Sequence, residues 1–254
     1  MRVTLLGTGT SFGVPMIACH CAVCTSANPR NRRTRSSVWV EHQGTSIVVD
    51  TTPEFRLQSL AAGIERIDAV LFTHSHADHV FGLDDVRRFN HLQKQEMPVY
   101  ADERTLEDLR RVYRYVFVDT QAGGGKPQLA LNAVRPEFRV GSVPVRSFTV
   151  MHGELPIRGY RFGGFAYVTD CSSLPPESKE QLQGLDLLVL TALRRRPHPT
   201  HFSVEQALAT VEELRPKRAL FTHIAHDLEH EELCRELPDG VDLAYDGQIV
   251  ELDQ

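Results

Sequence analysis

The 254 residues are 41% hydrophobic and 24% charged, an ordinary balance for a soluble globular protein with a substantial core. The formal charge of −5 lacks the basic excess of a dedicated nucleic-acid binder, which argues against nucleic acid as a partner. The sequence contains no run of about 18 apolar residues, the length that would predict a membrane span. The N-terminal segment becomes glycine-rich too early for a signal peptide. We therefore expect a cytoplasmic protein with no membrane partner.

Apolar and alternating segments predict strands along the whole chain. The predicted strands cover 2–6, 36–41, 46–50, 68–72, 128–134, 143–150, 157–162, 165–169, 185–190, 217–221 and 247–251. Helical patterns cover 54–62, 80–93, 103–117, 203–213 and 227–235. Segments 122–127 and 194–201 are predicted loops. Clustered strands with interspersed helices indicate an α/β sandwich with sheets in the middle and helices outside.

The segment THSHADH, residues 73–79, directly follows an apolar strand. We place His74, His76, Asp78 and His79 in a loop at the end of that strand, before a helix from about Val80. Imidazole and carboxylate groups suit zinc, manganese or iron, and four of them in six residues can serve two ions. The alternative is a polar, histidine-rich loop that binds nothing.

Three more polar residues follow apolar strands, namely His152, Asp170 and His223. Each alone is more often a capping residue at a strand boundary than a ligand. Their presence in a chain that also carries the H-x-H-x-D-H pattern favours metal ligation.

Three of the five cysteines, Cys19, Cys21 and Cys24, lie within six residues. They supply three thiolates of a tetrahedral structural zinc site, and His226, three residues beyond His223, is the best fourth ligand. Three reduced cysteines without a metal are the alternative. Cys171 and Cys234 are interpreted as core or boundary residues.

The first motif, with His152, Asp170 and His223, resembles the metallo-β-lactamase superfamily, whose four-layer αββα sandwich holds two metals at the sheet edges. The resemblance covers residues 1–250 and implies one domain over 1–254, with a zinc-binding loop inserted at about 13–35. It implies one metal on His74, His76 and His152, a second on Asp78, His79 and His223, and Asp170 as the bridge. Asp50 resembles an aspartate that orients a ligand, although Thr51 and Thr52 follow it where many members have a glycine.

The segment GTGTSFGVP followed by CHCAVC resembles one branch, the phosphoribosyl 1,2-cyclic phosphate phosphodiesterases. There, a zinc-binding loop follows the first strand and is closed by a histidine just past the last active-site histidine. A protein of pyrroloquinoline quinone biosynthesis shares a similar loop, so the loop alone does not fix the reaction. The resemblance implies that His201 is a catalytic residue that acts as general acid or holds the phosphate, with His198 as the alternative to His201. Asp78 is the second candidate catalytic residue.

Two adjacent zinc or manganese ions can bridge and deprotonate a water and neutralise charge on phosphoryl oxygens. We therefore expect a phosphodiesterase that attacks a small cyclic phosphate or nucleotide-like diester with a metal-bridged hydroxide. Among the arginines of segment 30–35, Arg33 and Arg35 are candidates to bind a substrate phosphate, and Arg194–Arg196 are further candidates; a solvated basic surface is the alternative.

Other functions remain open at this stage. A nuclease of the transfer-RNA 3′-processing type would normally carry an exosite arm or a basic face. A non-hydrolytic metal-binding accessory protein would have a lost or altered ligand. A classical β-lactamase is disfavoured by Asp78 beside His79. By analogy we also expect a homodimer, and specificity set by loops 10–17, 84–100 and 120–127.

Overall fold

Two seven-stranded sheets form the centre of the part of the chain that this computed structural model describes, residues 1–119 and 125–253. The first sheet has the strand order β14-β1-β2-β3-β4-β5-β6. Its strands are β1 (Arg2–Gly7), β2 (Ser37–His42), β3 (Thr45–Val49), β4 (Ala69–Leu71), β5 (Met97–Ala101), β6 (Leu129–Ala133) and β14 (Ile249–Glu251).

The second sheet has the order β13-β12-β11-β10-β9-β8-β7. Its strands are β7 (Glu137–Val140), β8 (Val143–His152), β9 (Leu155–Phe162), β10 (Phe165–Val168), β11 (Leu187–Thr191), β12 (Ala219–Thr222) and β13 (Val241–Leu243). The helices are α1 (Phe55–Ala62), α2 (Ala77–Val80), α3 (Arg87–Gln93), α4 (Glu103–Val112), α5 (Arg114–Phe117), α6 (Pro176–Gln181), α7 (Val204–Leu214) and α8 (His230–Glu236), with short 3-10 turns at Pro29–Asn31 and Leu83–Val86.

Three separate apolar cores define four layers. One core lies between the sheets, where Val38 and Ile47 of the first sheet belong with Tyr167 and Val189 of the second. A second core lies between the first sheet and helices α1, α3 and α4, and a third between the second sheet and helices α7 and α8, with Leu174 and Leu182 on either side of α6. The predicted α/β sandwich with helices on both outer faces is confirmed.

The strand directions place several strand ends at one edge. Strands β3 and β4 are parallel, as are β10, β11 and β12. Strand β8 is antiparallel to β9, which is antiparallel to β10, so β8 and β10 run the same way. The residues that end or directly follow β3, β4, β8, β10 and β12 therefore lie at neighbouring positions, although they are far apart in sequence.

Several predicted elements differ from the structure. The sequence does not predict strands β5, β7 and β13 or helix α6. Strand β5 contains a proline, β7 and α6 are rich in charged residues, and β13 has only three residues, so none of them shows a clear pattern. The predicted helix 80–93 is divided into α2, a 3-10 turn and α3, and the predicted helix 103–117 is interrupted at Tyr113. Helix α2 begins at Ala77, so the placement of Asp78 and His79 in a loop was wrong.

The segment at 194–201 is a loop, as predicted. Of the predicted loop at 122–127, only 125–127 belongs to the described residues, and these are irregular. Across the described residues, every helix is too short or too polar to cross a membrane.

Candidate metal centre

Asp50 follows β3 and orients His79. This fully buried carboxylate accepts hydrogen bonds from the backbone N–H and the hydroxyl of Thr73, each at 2.8 Å. Its Oδ2 lies 2.8 Å from His79 Nδ1. The bond fixes the ring so that Nε2 faces the opposite side, where Asp78 and Asp170 lie. Asp50 therefore stands where an orienting aspartate must stand.

The structure brings the seven predicted catalytic-metal ligands into two adjoining groups. In each group, the potential ligand atoms lie within 4.8 Å of one another. The first group is His74, His76 and His152, and the second is Asp78, His79, Asp170 and His223. Asp170 also lies within this distance of His152, which belongs to the first group. Its carboxylate thus stands between the two groups.

The contacts inside these groups fit shared ions better than hydrogen bonds. His79 Nε2 lies 3.2 Å from oxygens of both Asp78 and Asp170, and His223 Nδ1 lies 3.3 Å from Asp170. Yet these two nitrogens and His74 Nε2 are buried without a hydrogen bond among the described residues. Two ligands at about 2.0–2.1 Å from a tetrahedral ion are about 3.3 Å apart, so the observed spacing suits a common ion.

The electrostatics of the cluster favour a bound cation. Burial opposes the charge on His79, but Asp78, Asp170 and Asp50 together raise the pKa of this ring well above its usual value. Burial also disfavours the carboxylate of Asp170, yet His223 and His79 hold its pKa well below the normal range. Burial lowers the pKa of His74, which keeps its imidazole neutral, the form that binds a metal.

Three of these strand-end residues have left-handed backbones. Asp50, Asp170 and His223 have φ values of 65°, 54° and 58°. This conformation is uncommon outside glycine and costs of the order of 1 kcal/mol or more at each position, although Asp and His tolerate it better than most residues. The backbone strain therefore lies at the residues that supply the polar groups.

His201 stands beside Asp170, in the loop after β11. Its Nε2 lies 3.1 Å from Asp170 Oδ1, and its Nδ1 lies 2.9 Å from Thr200 Oγ1. His198 lies behind it, with the two Nδ1 atoms 3.2 Å apart. Thr200 also offers its carbonyl oxygen to His152 Nδ1 at 2.8 Å. Of the two histidines, His201 faces the ligand cluster and His198 supports it.

The cysteines form a separate group. Cys19, Cys21, Cys24 and His226 place their ligand atoms within 4.8 Å of one another, and His226 Nδ1 lies 3.3 and 3.4 Å from the sulfurs of Cys19 and Cys21. The backbone N–H of Cys24 donates to Cys21 Sγ and, with His226, lowers the pKa of Cys21 to about 6, against the effect of burial. A thiolate ready at neutral pH suits zinc.

Arg33 is not positioned to bind a substrate, contrary to the prediction. It is 3% exposed, and its guanidinium donates to Thr8 Oγ1, to the carbonyl of Ala244 and to His230 Nδ1. Burial lowers the pKa of His230 to about 4, with Arg33 as a further cause, so this ring is neutral and accepts the bond. Arg33 instead connects the end of the cysteine loop to the segment after β13.

Asp246 is a residue that sequence reasoning missed. Its carboxylate accepts from the backbone and hydroxyl groups of both Thr8 and Thr34, at distances of 2.6–2.9 Å. It closes the base of the loop between β1 and β2, and only the long-range contact could reveal this role. Arg35 also contributes to that loop, because it pairs with Glu54 and donates to the carbonyl of Ser11.

Residues 45–224 match the family model of the beta-lactamase superfamily domain, and the chain belongs to that superfamily. A crystal structure described as a new diphosphatase from the PhnP family is 44% identical, with a TM-score of 0.93, over 99% of this chain and 98% of that one. The chain has the metallo-β-lactamase fold and belongs to the PhnP-like branch of this superfamily. The fold implies divalent metal ions, and the convergent ligand atoms fit them.

Two curated relatives of this chain have names that differ from that of the diphosphatase. The octanoyltransferase of Porphyromonas gingivalis is 39% identical over 259 residues, which cover all of this chain and 52% of that protein. This chain thus spans about half the length of that relative. Coenzyme PQQ synthesis protein B of Methylorubrum extorquens is 35% identical over 225 residues, which cover 74% of this chain and 72% of that protein.

Proposed function

We propose that this protein is a hydrolase, namely a dinuclear metal-dependent phosphodiesterase that cleaves a small cyclic phosphate or a nucleotide-like diester. The observation that carries the proposal is the pair of ligand groups with the Asp170 carboxylate between them and His201 alongside. When bound there, two zinc or manganese ions would activate a water and neutralise charge that develops on phosphoryl oxygens.

The composition of the ligand groups supports phosphoester chemistry. Asp78 and Asp170 add carboxylate oxygens to what would otherwise be an all-histidine site. Hard oxygen ligands admit manganese as well as zinc. The partly exposed His76 and half-buried His201 stand at the accessible side of the cluster, whereas His79 and His223 are buried behind them.

His201 is the proton donor in this proposal. An alkoxide leaving group needs a proton, and a histidine placed by Thr200 and His198 can supply it. Its Nε2 is the nitrogen that faces the metal ligands, so this atom is the one that can reach a leaving oxygen.

A cavity beside His201 supports a small substrate. Its volume is about 390 Å³, in the range of small-molecule sites, and it is lined by loop 10–16, loop 193–201 and residues 225–227. A larger cavity of about 740 Å³ beside α1 and α3 contains none of the clustered ligands. The smaller cavity is not lined by the seven catalytic-metal ligands either, but it includes His201, whose Nε2 lies 3.1 Å from Asp170 Oδ1, and it is therefore the better substrate site.

The test is hydrolysis by zinc- and manganese-loaded protein of ribose 5-phosphate 1,2-cyclic phosphate, a generic aryl phosphodiester, 2′,3′-cyclic nucleotides, a diphosphate ester and a transfer-RNA precursor. We expect preference for a small diester, lost in Asp78→Ala and retained in Asp239→Ala, a control at an exposed aspartate. Preference for the diphosphate or the RNA, or equal activity in Asp78→Ala, would overturn the proposal.

A further inference from the structure

The three consecutive arginines at 194–196 have different surroundings. Arg194 donates from Nε to the carbonyl of Arg196 at 3.2 Å and from Nη2 to the carbonyl of Pro197 at 3.0 Å. It therefore braces its own loop. Arg195 pairs with Glu236 of α8 at 2.8 Å, so its charge is already compensated.

Arg196 differs from both neighbours. Its exposed side chain makes no hydrogen bond or ion pair with any residue among 1–119 and 125–253, although its backbone carbonyl accepts from Arg194. It lines the cavity that contains His201. An uncompensated guanidinium at a substrate cavity is free to bind an anion.

The rest of the cavity suits a phosphorylated organic molecule. Arg194 and His198 line the cavity together with Arg196, and Asp227 is the one carboxylate among the lining residues. Phe12, an apolar side chain that is 68% exposed, also lines the cavity. An aromatic side chain in the same cavity as a cationic group can cover the body of a ligand while its charged end is paired.

We propose that Arg196 is a specificity-determining residue that binds a second phosphate group of the substrate, remote from the bond that is cleaved. This inference rests on the proposed function, which places the reacting diester at the metal ligands beside His201. A guanidinium binds a phosphate through two parallel charge-assisted hydrogen bonds, which gives both affinity and orientation. The spacing between Arg196 and the metal ligands would then select the length of the substrate.

The kinetic test compares ribose 1,2-cyclic phosphate with and without a 5-phosphate. For Arg196→Gln we expect kcat/KM to fall about 10- to 100-fold on the 5-phosphorylated substrate only, because one bidentate charge-assisted contact is lost. Arg195→Gln is the matched control and should leave both substrates unaffected. Equal losses on both substrates in Arg196→Gln, or no loss on either, would overturn the proposal.

A binding measurement separates this inference from the proposed function. Ribose 5-phosphate is titrated calorimetrically into the metal-loaded wild type and both variants. If the wild type hydrolyses neither substrate, the proposed function fails, but weaker binding in Arg196→Gln alone still supports the anion site. Binding that is absent from the wild type, or weakened equally by Arg195→Gln, overturns it.

Discussion

At the scale of single residues, the site depends on the groups that hold each imidazole as much as on the imidazoles themselves. Asp50 holds His79, the Thr200 carbonyl accepts from His152, and the Thr73 hydroxyl lies 3.0 Å from His74 Nδ1. In each ring the other nitrogen therefore faces the interior of the cluster, where it can bind a metal. Loss of one such partner changes the tautomer or the orientation of a ligand.

Asp50→Asn should lower the affinity for the second metal roughly 10- to 100-fold, because an amide NH₂ replaces one oxygen that faces His79 and Thr73. Competition with a chromogenic chelator measures the change. Asp239→Asn, at an exposed position, is the control. Unchanged affinity in Asp50→Asn would show that His79 does not need this partner.

His201→Ala should lower kcat about 10²- to 10⁴-fold for a diester with an alkoxide leaving group, because that group leaves only when protonated. An aryl diester with a p-nitrophenolate leaving group should lose much less. Steady-state kinetics on the two substrates, with His91→Ala as an exposed control, measure the difference. Equal losses would mean that His201 binds the phosphate or a metal instead of donating the proton.

At the scale of elements, the long loop between β1 and β2 is held in place both at its cysteines and at its base. Its cysteines meet His226 after β12, and its base is closed by Arg33 and Asp246. The same loop supplies Phe12 and Met16 to the cavity beside His201. The stability of this loop and the shape of the substrate cavity are therefore coupled.

Cys21→Ser should remove the structural metal and lower the stability of the fold more than the rate of the folded fraction, since a structural zinc contributes folding free energy. The metal content measured by elemental analysis should fall from three ions per chain to two. Cys234→Ser, a half-buried thiol outside the group, should keep all three. A folded but inactive Cys21→Ser protein with three metals would contradict this division.

Arg33→Met should lower the free energy of unfolding by about 3 kcal/mol, because buried Asp246 and the Ala244 carbonyl lose a cationic partner. Urea denaturation measures it, and the exposed Arg32→Met is the control. The activity of the folded variant should change equally, or not at all, on substrates with and without a remote phosphate. A loss confined to the substrate with the remote phosphate would restore Arg33 as a substrate-binding residue.

At the scale of the whole molecule, the candidate metal centre joins the two halves of the sandwich. Asp50 and the 74–79 segment follow strands of the first sheet, whereas His152, Asp170 and His223 end or follow strands of the second. A metal shared by these residues binds the folded arrangement and not the separated sheets. Metal binding must then stabilise the fold by linkage.

Reloading metal-stripped protein should raise the free energy of unfolding by about 2.7 kcal/mol for each catalytic ion when the free metal is about 100-fold above its Kd. Thermal unfolding in the Cys21→Ser background isolates this effect from the cysteine site. Asp170→Asn in that background should reduce the gain, since Asp170 lies between both ligand groups. An equal gain in the two proteins would contradict a shared centre.

The sequence by itself determined which residue types meet at the site, because each ligand follows an apolar strand and that pattern is local. The H-x-H-x-D-H segment and the strand-end residues were visible in this way, and the cysteine loop was visible from its C-x-C-x-x-C spacing. Helix α2 was misplaced by three residues because Ala77–Val80 is too short to show a periodic pattern.

Only the tertiary structure decided the roles of the arginines and of Asp246. Arg33 and Arg196 are both arginines in polar segments, yet one is enclosed by residues more than 190 positions away and the other is left facing a cavity. Burial and pairing of this kind depend on contacts between distant segments. No local pattern in the chain records them.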